Sequence, residues 1–561
     1  ASSTFNLRTT SPTVNSLALA GDAADGYINL GERSNATDLA GSLSASNYDS
    51  AAYKLTQAST TCDGSLTYGS MPKSNSTDFG SDGSYKICVK VTDNAGNTPG
   101  YGGSNTFALK AVVPAFTSLA LANSASDGYV NTTDKGSSVD IAGSLSGSAY
   151  DSAQYKLVPA ATTCSAETGY GVMPQNTSSA FTADGNYKVC AKLSDLAGNP
   201  PAYGATSTVV LDTLAPGFTA VSLIGEAADG YISASDKALA NPLISAASGT
   251  GFDTASYLLV ASNVACNGSL TYGNIPLNTS TNFAADRDYK VCVKLADNAG
   301  NAPAYGSSPT ITLKTSLPTF YSISLASGDA ADLYIRASER SNTTALVSGL
   351  IATNYTTAEY KLVADGITCD ASLSYSNTVP ASNAPELASD GDYKVCIKLT
   401  DAANNTPAYG ASDLFTLKTQ VPAFTSLALV NAAVDGYINV ADRLLSTDLG
   451  GSLSALNYDE DSYAVVASGT TCDGAIQYGL MPKSDSNLLG TDGTYKVCVK
   501  LTDLAGNPPA YGSTNSFAVK TTLPSFTSIA FTSALTDGYL NATEKSANTL
   551  LTTSLSGANY N

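Results

Sequence analysis

The most regular alternation of apolar and polar positions in the chain is Tyr85-Lys-Ile-Cys-Val-Lys-Val91. Tyr85, Ile87, Val89 and Val91 take one face, and Lys86, Cys88 and Lys90 take the other. A period of two marks a strand with one buried face. Leu39-Ala-Gly-Ser-Leu43, Ala52-Tyr-Lys-Leu55 and Phe107-Ala-Leu109 read as shorter strands, separated by Gly, Pro, Asn and Asp clusters. Helical periodicity is absent, so the pattern predicts an all-β chain.

The same pattern returns along the sequence. Pro12, Pro114, Pro216, Pro318, Pro422 and Pro524 each precede a similar strand, such as Phe116-Thr-Ser-Leu-Ala-Leu121 and Phe424-Thr-Ser-Leu-Ala-Leu429, at spacings of 102, 102, 102, 104 and 102 residues. Asp25, Asp127, Asp229, Asp332, Asp435 and Asp537 form a second landmark within Asp-Gly-Tyr or its variant Asp332-Leu-Tyr334. Five full repeats are expected at 12–113, 114–215, 216–317, 318–421 and 422–523. Residues 1–11 read as the last strand of a preceding repeat, and 524–561 as the opening strands of a further, incomplete one. The expectation is a section cut from a longer protein, with strand exchange between chains as the alternative. About seven short strands per repeat suggest tandem immunoglobulin-like β-sandwiches arranged as an extended rod or filament.

An Asp-Gly-x-Tyr step precedes the long strand, as at Asp82, Asp184, Asp390 and Asp492, and looks like the turn into a tyrosine corner. After the strand comes Asp93-Asn-Ala-Gly-Asn97, which recurs at 195–199, 297–301, 401–405 and 503–507 and is followed by Pro-x-Tyr-Gly. The run Tyr495-Lys-Val-Cys-Val-Lys-Leu-Thr-Asp-Leu-Ala-Gly-Asn507 resembles the closing part of bacterial immunoglobulin-like repeats of large adhesins and other surface proteins. The resemblance covers every full repeat. It implies an extracellular or bacterial cell-surface location. The cysteine pair is not a general feature of that family.

Composition narrows the function. The net charge of −19 and the 13% charged content argue against nucleic acid and anionic membrane partners. No run of 18 apolar residues could span a membrane. The chain has no His and no Trp, which removes His-based triads and metal sites, and its acids recur once per repeat. An enzyme is not expected.

Each full repeat carries two cysteines, Cys62/Cys88, Cys164/Cys190, Cys266/Cys292, Cys369/Cys396 and Cys472/Cys498. One pair per repeat at near-constant spacing points to intradomain disulfides and an oxidising compartment. The second cysteine of each pair lies on the lysine-bearing face of its strand. The bridge should therefore pin a loop to the outer face of the sheet.

One feature raises a ligand. An acid stands seven residues after each landmark, at Glu32, Asp134, Asp236, Glu339, Asp442 and Glu544, always followed by Arg or Lys. With head-to-tail stacking, Asp25, Glu32 and Asp82 would face Asp195 and Asn199 of the next repeat. Asp127, Asp134 and Asp184 would likewise face Asp297 and Asn301. Carboxylates and amide oxygens suit Ca²⁺, so calcium at the joints is one expectation. The other is ordinary turn residues, with the basic neighbour pairing the acid. No cofactor is otherwise required. Asn-x-Ser/Thr sequons at Asn35, Asn75, Asn131 and Asn176 are permissive only.

The leading function is a stalk or filament segment whose partners are neighbouring repeats or copies of itself. The alternatives are repeats that bind a cell surface or glycan through tyrosine-rich loops, and subunits of a self-assembling fibre.

Overall fold

The computed structural model describes residues 4–532, 537–547 and 551–560. Parts of the two terminal segments, 1–3, 533–536, 548–550 and 561, lie outside the described residues. The chain separates into two compact units, Ala1–Gly230 with Ala240–Ile311, and Tyr231–Leu239 with Thr312–Asn561. Among the described residues no helix is long and apolar enough to cross a membrane.

In the first unit residues 13–110 form seven strands: β1 Thr13–Leu19, β2 Tyr27–Asn29, β3 Ala40–Ser46, β4 Ser50–Gln57, β5 Gly83–Thr92, β6 Gly100–Gly103 and β7 Phe107–Lys110. β1 and β3 pair antiparallel with two irregularities of register. The second sheet runs β2-β7-β5-β4, and β6 also pairs with β5. At ten residues, β5 is long enough to hold β7 along Gly83–Tyr85 and β6 along Cys88–Val91.

The two sheets close on the face that the alternation predicts. Leu17, Ile28, Leu39, Leu55, Phe79, Tyr85, Ile87, Val89, Val91, Phe107 and Leu109 make one buried cluster. β-branched and aromatic side chains fill a pleated, half-buried surface well, which is why these segments become strands. Tyr85 also turns the corner into β5, because its hydroxyl donates to the Ser81 carbonyl (2.7 Å) and the Gly80 amide donates to it (3.0 Å).

The same order of elements recurs from Ala115–Leu121 to Val209–Leu211 in the first unit. In the second unit it recurs from Thr319–Leu325 to Phe415–Lys418 and from Ala423–Leu429 to Phe517–Val519. Near the C-terminus, Ser525–Phe531 pairs antiparallel with Thr552–Ala558.

Two strands lie where the sequence pattern shows only turn residues. β2 has just three residues, too few for a period to register. β6 contains the Tyr-Gly of Pro-x-Tyr-Gly, and its glycine is a packing requirement. A Cβ on Gly204 would sit 2.0 Å from the Phe116 ring, and one on Gly512 would sit 2.2 Å from Phe424.

Candidate functional site

The loop after each long strand is built around its two ends. Asp195 accepts from the Asn199 amide (3.0 Å) and from Asn199 Nδ2 (2.6 Å), closing a tight turn. Gly198 makes that turn at φ +76°, a left-handed conformation that costs other residues about 1–2 kcal/mol. In the fourth copy Asn404 takes this position at φ 56°. Asparagine is the residue that best tolerates it after glycine.

Asn199 then reaches out of its own repeat. Its Nδ2 donates to the Lys110 carbonyl in the connecting segment (2.7 Å), and its Oδ1 accepts from the Leu30 amide of the preceding repeat (2.8 Å). Asn29 completes the contact by donating to the Ala197 carbonyl (3.0 Å). Asn301 repeats the arrangement with the Asp212 carbonyl (2.9 Å) and the Thr132 amide (3.1 Å), and Asn131 donates to Ala299 (2.8 Å). In the second unit Asn405 joins Lys314 (2.7 Å) to Ala234 (2.8 Å), and Asn507 joins Lys418 (2.8 Å) to Ala337 (3.0 Å).

Ala197, Ala299, Ala403 and Ala505 are buried, whereas Ala95 is exposed, in a loop whose Asn97 donates to the Arg8 carbonyl (3.1 Å). Lys110 with Asp151, and Lys418 with Asp459, add ion pairs at two of these joints.

The acids named for calcium are each engaged separately. Asp25 and Asp127 accept from the amides of Tyr27 and Tyr129 two residues on (3.0 and 2.9 Å). Glu32 and Asn29 cap each other reciprocally (2.9 Å both ways), and Asp134 does the same with Asn131 (3.1 and 2.9 Å). Asp82 accepts from the Ala111 and Val112 amides of the connecting segment (2.9 Å each), and Asp184 from the Thr213 amide (2.9 Å). Asp195 and Asp297 stay within their loops, the latter accepting from Asn301 (2.9 Å). Among the described residues no three Asp, Glu, Cys or His converge as a metal-binding group. The structure thus brings Asn199 and Asn301 to the joint and spreads the carboxylates around it.

At Arg33, Lys135, Arg340 and Arg443 the basic residue after the fixed-offset acid reaches carbonyl oxygens of the long loop that precedes the corner. Arg340 donates to Ser382 (3.1 Å), Ala384 (3.0 Å) and Leu387 (2.9 Å), and Arg33 to Ser74 (3.2 Å) while stacking on Phe79. Chain separations of more than 40 residues hide this partner from any local motif.

The cysteines pair as Cys62–Cys88, Cys164–Cys190, Cys266–Cys292, Cys369–Cys396 and Cys472–Cys498. Cys88 is fully buried, yet it lies outside the core cluster. The loop between β4 and β5 covers that face of the sheet. Gly69 exchanges backbone hydrogen bonds with Tyr53 (2.8 Å each), and Tyr68 packs against Tyr101. The outer face that the alternation implies is therefore a second, smaller interior.

No family model and no curated protein matches the chain. Among solved structures it is similar to a Ca²⁺-stabilized adhesin that helps an Antarctic bacterium reach out and bind ice, with 18% identity over 72% of this chain and 99% of that one, at a TM-score of 0.25. It is also similar to a protocadherin gammaB7 EC3-6 cis-dimer structure (13% identity, 70% and 98% coverage, TM-score 0.25) and to Drosophila N-cadherin EC1-4 (14%, 66% and 93%, TM-score 0.20).

Two of the sequons have structural work. Asn131 holds a joint, and Asn176 is fully buried with its Nδ2 on Ser124.

Proposed function

We propose that the chain is a structural spacer, a stalk or filament segment of a bacterial cell-surface protein, built from repeats bounded at Pro12, Pro114, Pro216, Pro318, Pro422 and Pro524. The observation that carries this reading is the asparagine clamp. One side chain ties its own loop, the connecting segment and the preceding repeat together, as Asn199 does with Asp195, Lys110 and Leu30. A string of independent binding modules needs no such joint, whereas a spacer that must transmit position does. The five disulfides suit an extracellular setting, where thiols stay oxidised.

The test is electron microscopy of single full-length chains beside a variant in which Asn199, Asn301, Asn405 and Asn507 are all alanine. The expected outcome is a narrow distribution of end-to-end distances for the native chain and a broad one for the variant. Equally broad distributions would overturn the spacer reading, and ordered fibres of the native chain would favour self-assembly over a solitary stalk.

A further inference from the structure

One feature serves neither the joints nor the cores. A tyrosine on each covering loop faces a tyrosine on the short strand beside the disulfide. The ring centroids are 5.8 Å apart in Tyr68–Tyr101, 6.0 Å in Tyr170–Tyr203, 5.9 Å in Tyr272–Tyr305 and 5.8 Å in both Tyr375–Tyr409 and Tyr478–Tyr511. All ten rings are half-buried, so solvent reaches them.

Both members of each pair are anchored. The Tyr68 hydroxyl donates to the Asp63 carbonyl (3.0 Å), next to Cys62. Tyr101 stands on β6, opposite Lys90 and two residues before Gly103, which pairs with Cys88. The disulfide thus fixes the root of the loop beside the strand that holds the second ring. Burial first, then the neighbouring phenol, raises the Tyr68 hydroxyl above its ordinary value, and pushes Tyr375 and Tyr478 up to about 12. Tyr68, Tyr375 and Tyr478 therefore stand as neutral phenols at neutral pH.

We propose that these pairs are modification sites for oxidative tyrosine coupling, each yielding one dityrosine within its own repeat. The co-reactant is hydrogen peroxide acting through a haem peroxidase. Each phenol gives up one electron and one proton and becomes a phenoxyl radical. The two radicals join through the ring carbons ortho to oxygen, and the hydrogens on those carbons move to the oxygens as the rings regain aromaticity. The peroxide takes up the two electrons and two protons and becomes two waters. The new carbon–carbon bond ties to β6 the loop that the disulfide ties to β5, and thiols do not cleave it.

The experiment treats the full chain at low concentration with a haem peroxidase and limiting peroxide, followed by reduction, proteolysis and mass spectrometry. The expected products are peptides joined at Tyr68–Tyr101 and at the four equivalent pairs, each lighter by two hydrogens, together with dityrosine fluorescence. Tyr101→Phe is expected to abolish the Tyr68 product and spare the other four, while retained hydrogen-exchange protection of the Val89 amide reports that the repeat still folds. Absence of coupling would overturn the proposal. So would equal coupling at the half-buried Tyr27 and Tyr129, or between chains, or at Tyr68 in the Tyr101→Phe variant.

Discussion

Asn199 uses every polar atom it has beyond its own carbonyl: its amide and Nδ2 serve Asp195, Nδ2 also serves Lys110, and Oδ1 receives Leu30. It is 4% exposed, while its partners Leu30 and Lys110 are exposed and half-buried. Asn199→Ala leaves the Leu30 amide and the Lys110 carbonyl without these partners. A fully buried group stranded in this way costs about 1–3 kcal/mol, and these part-buried ones cost less. The expected outcome is faster hydrogen exchange at Leu30 with unchanged exchange at Val89, deep in the same repeat's core. Equal acceleration at both amides would mean that the residue supports the repeat as a whole, not its joint. Asn199→Asp should be no milder, because it loses the donor to Lys110 and places a carboxylate against Asp195.

Elements show what alternation can and cannot reveal. β5 was legible because Tyr85, Ile87, Val89 and Val91 repeat at the spacing of a pleat and enter one core. β6 was not, because Gly102 and its equivalents read as turn residues, although the glycine is there to let a neighbouring Val or Phe side chain approach. The covering loop was legible only through Cys62. It has no period, and what holds it is one disulfide, a backbone exchange between Gly69 and Tyr53, and a tyrosine contact. Its attachment is therefore separable from the core. Closing a loop of 26 residues contributes about 3 kcal/mol in the chain-entropy view. Reduction of the full chain is expected to lower its melting temperature and to free amides between residues 58 and 80 first, with β5 amides such as Val89 still protected. Simultaneous loss of both would show that the loop is part of the cooperative core.

For the whole molecule, the joints decide how the repeats respond to solution conditions, and their acids were visible in the sequence while their partners were not. The fixed offset of Glu32 is plain, but its cap Asn29 is a local partner, and the contact between Leu30 and Asn199 spans 169 residues. Acidity acts on these joints. The Thr521 hydroxyl, with the Thr521 and Thr522 amides, holds Asp492 below the ordinary carboxylate range, and the Lys110 ammonium does the same for Asp151. A carboxylate depressed in the folded state contributes fully above its unfolded value, about 3.9 for Asp, and loses that contribution as pH falls through the folded value. Melting temperature is thus expected to be flat near neutrality and to drop below about pH 4, with a shallower drop in Asp492→Asn; an unchanged slope in that variant would place the acid sensitivity elsewhere. The same hydrogen bonds bear on calcium. A Ca²⁺ ion takes about 6–8 oxygens, whereas Asp25, Glu32, Asp82 and Asp195 already accept from amides of Tyr27, Asn29, Ala111 and Asn199. Gathering them around one ion would break the turn, the cap, the connecting segment's anchor and the loop together. A net charge of −19 still draws cations diffusely, and that attraction depends on ionic strength, not on ion identity. Chelator is therefore expected to leave the melting temperature unchanged, and Ca²⁺ to shift it no more than Mg²⁺ at equal ionic strength. A Ca²⁺-specific rise that disappears in Asp195→Ala would show that the joint rearranges to bind metal and that the asparagine clamp is only one of its two states.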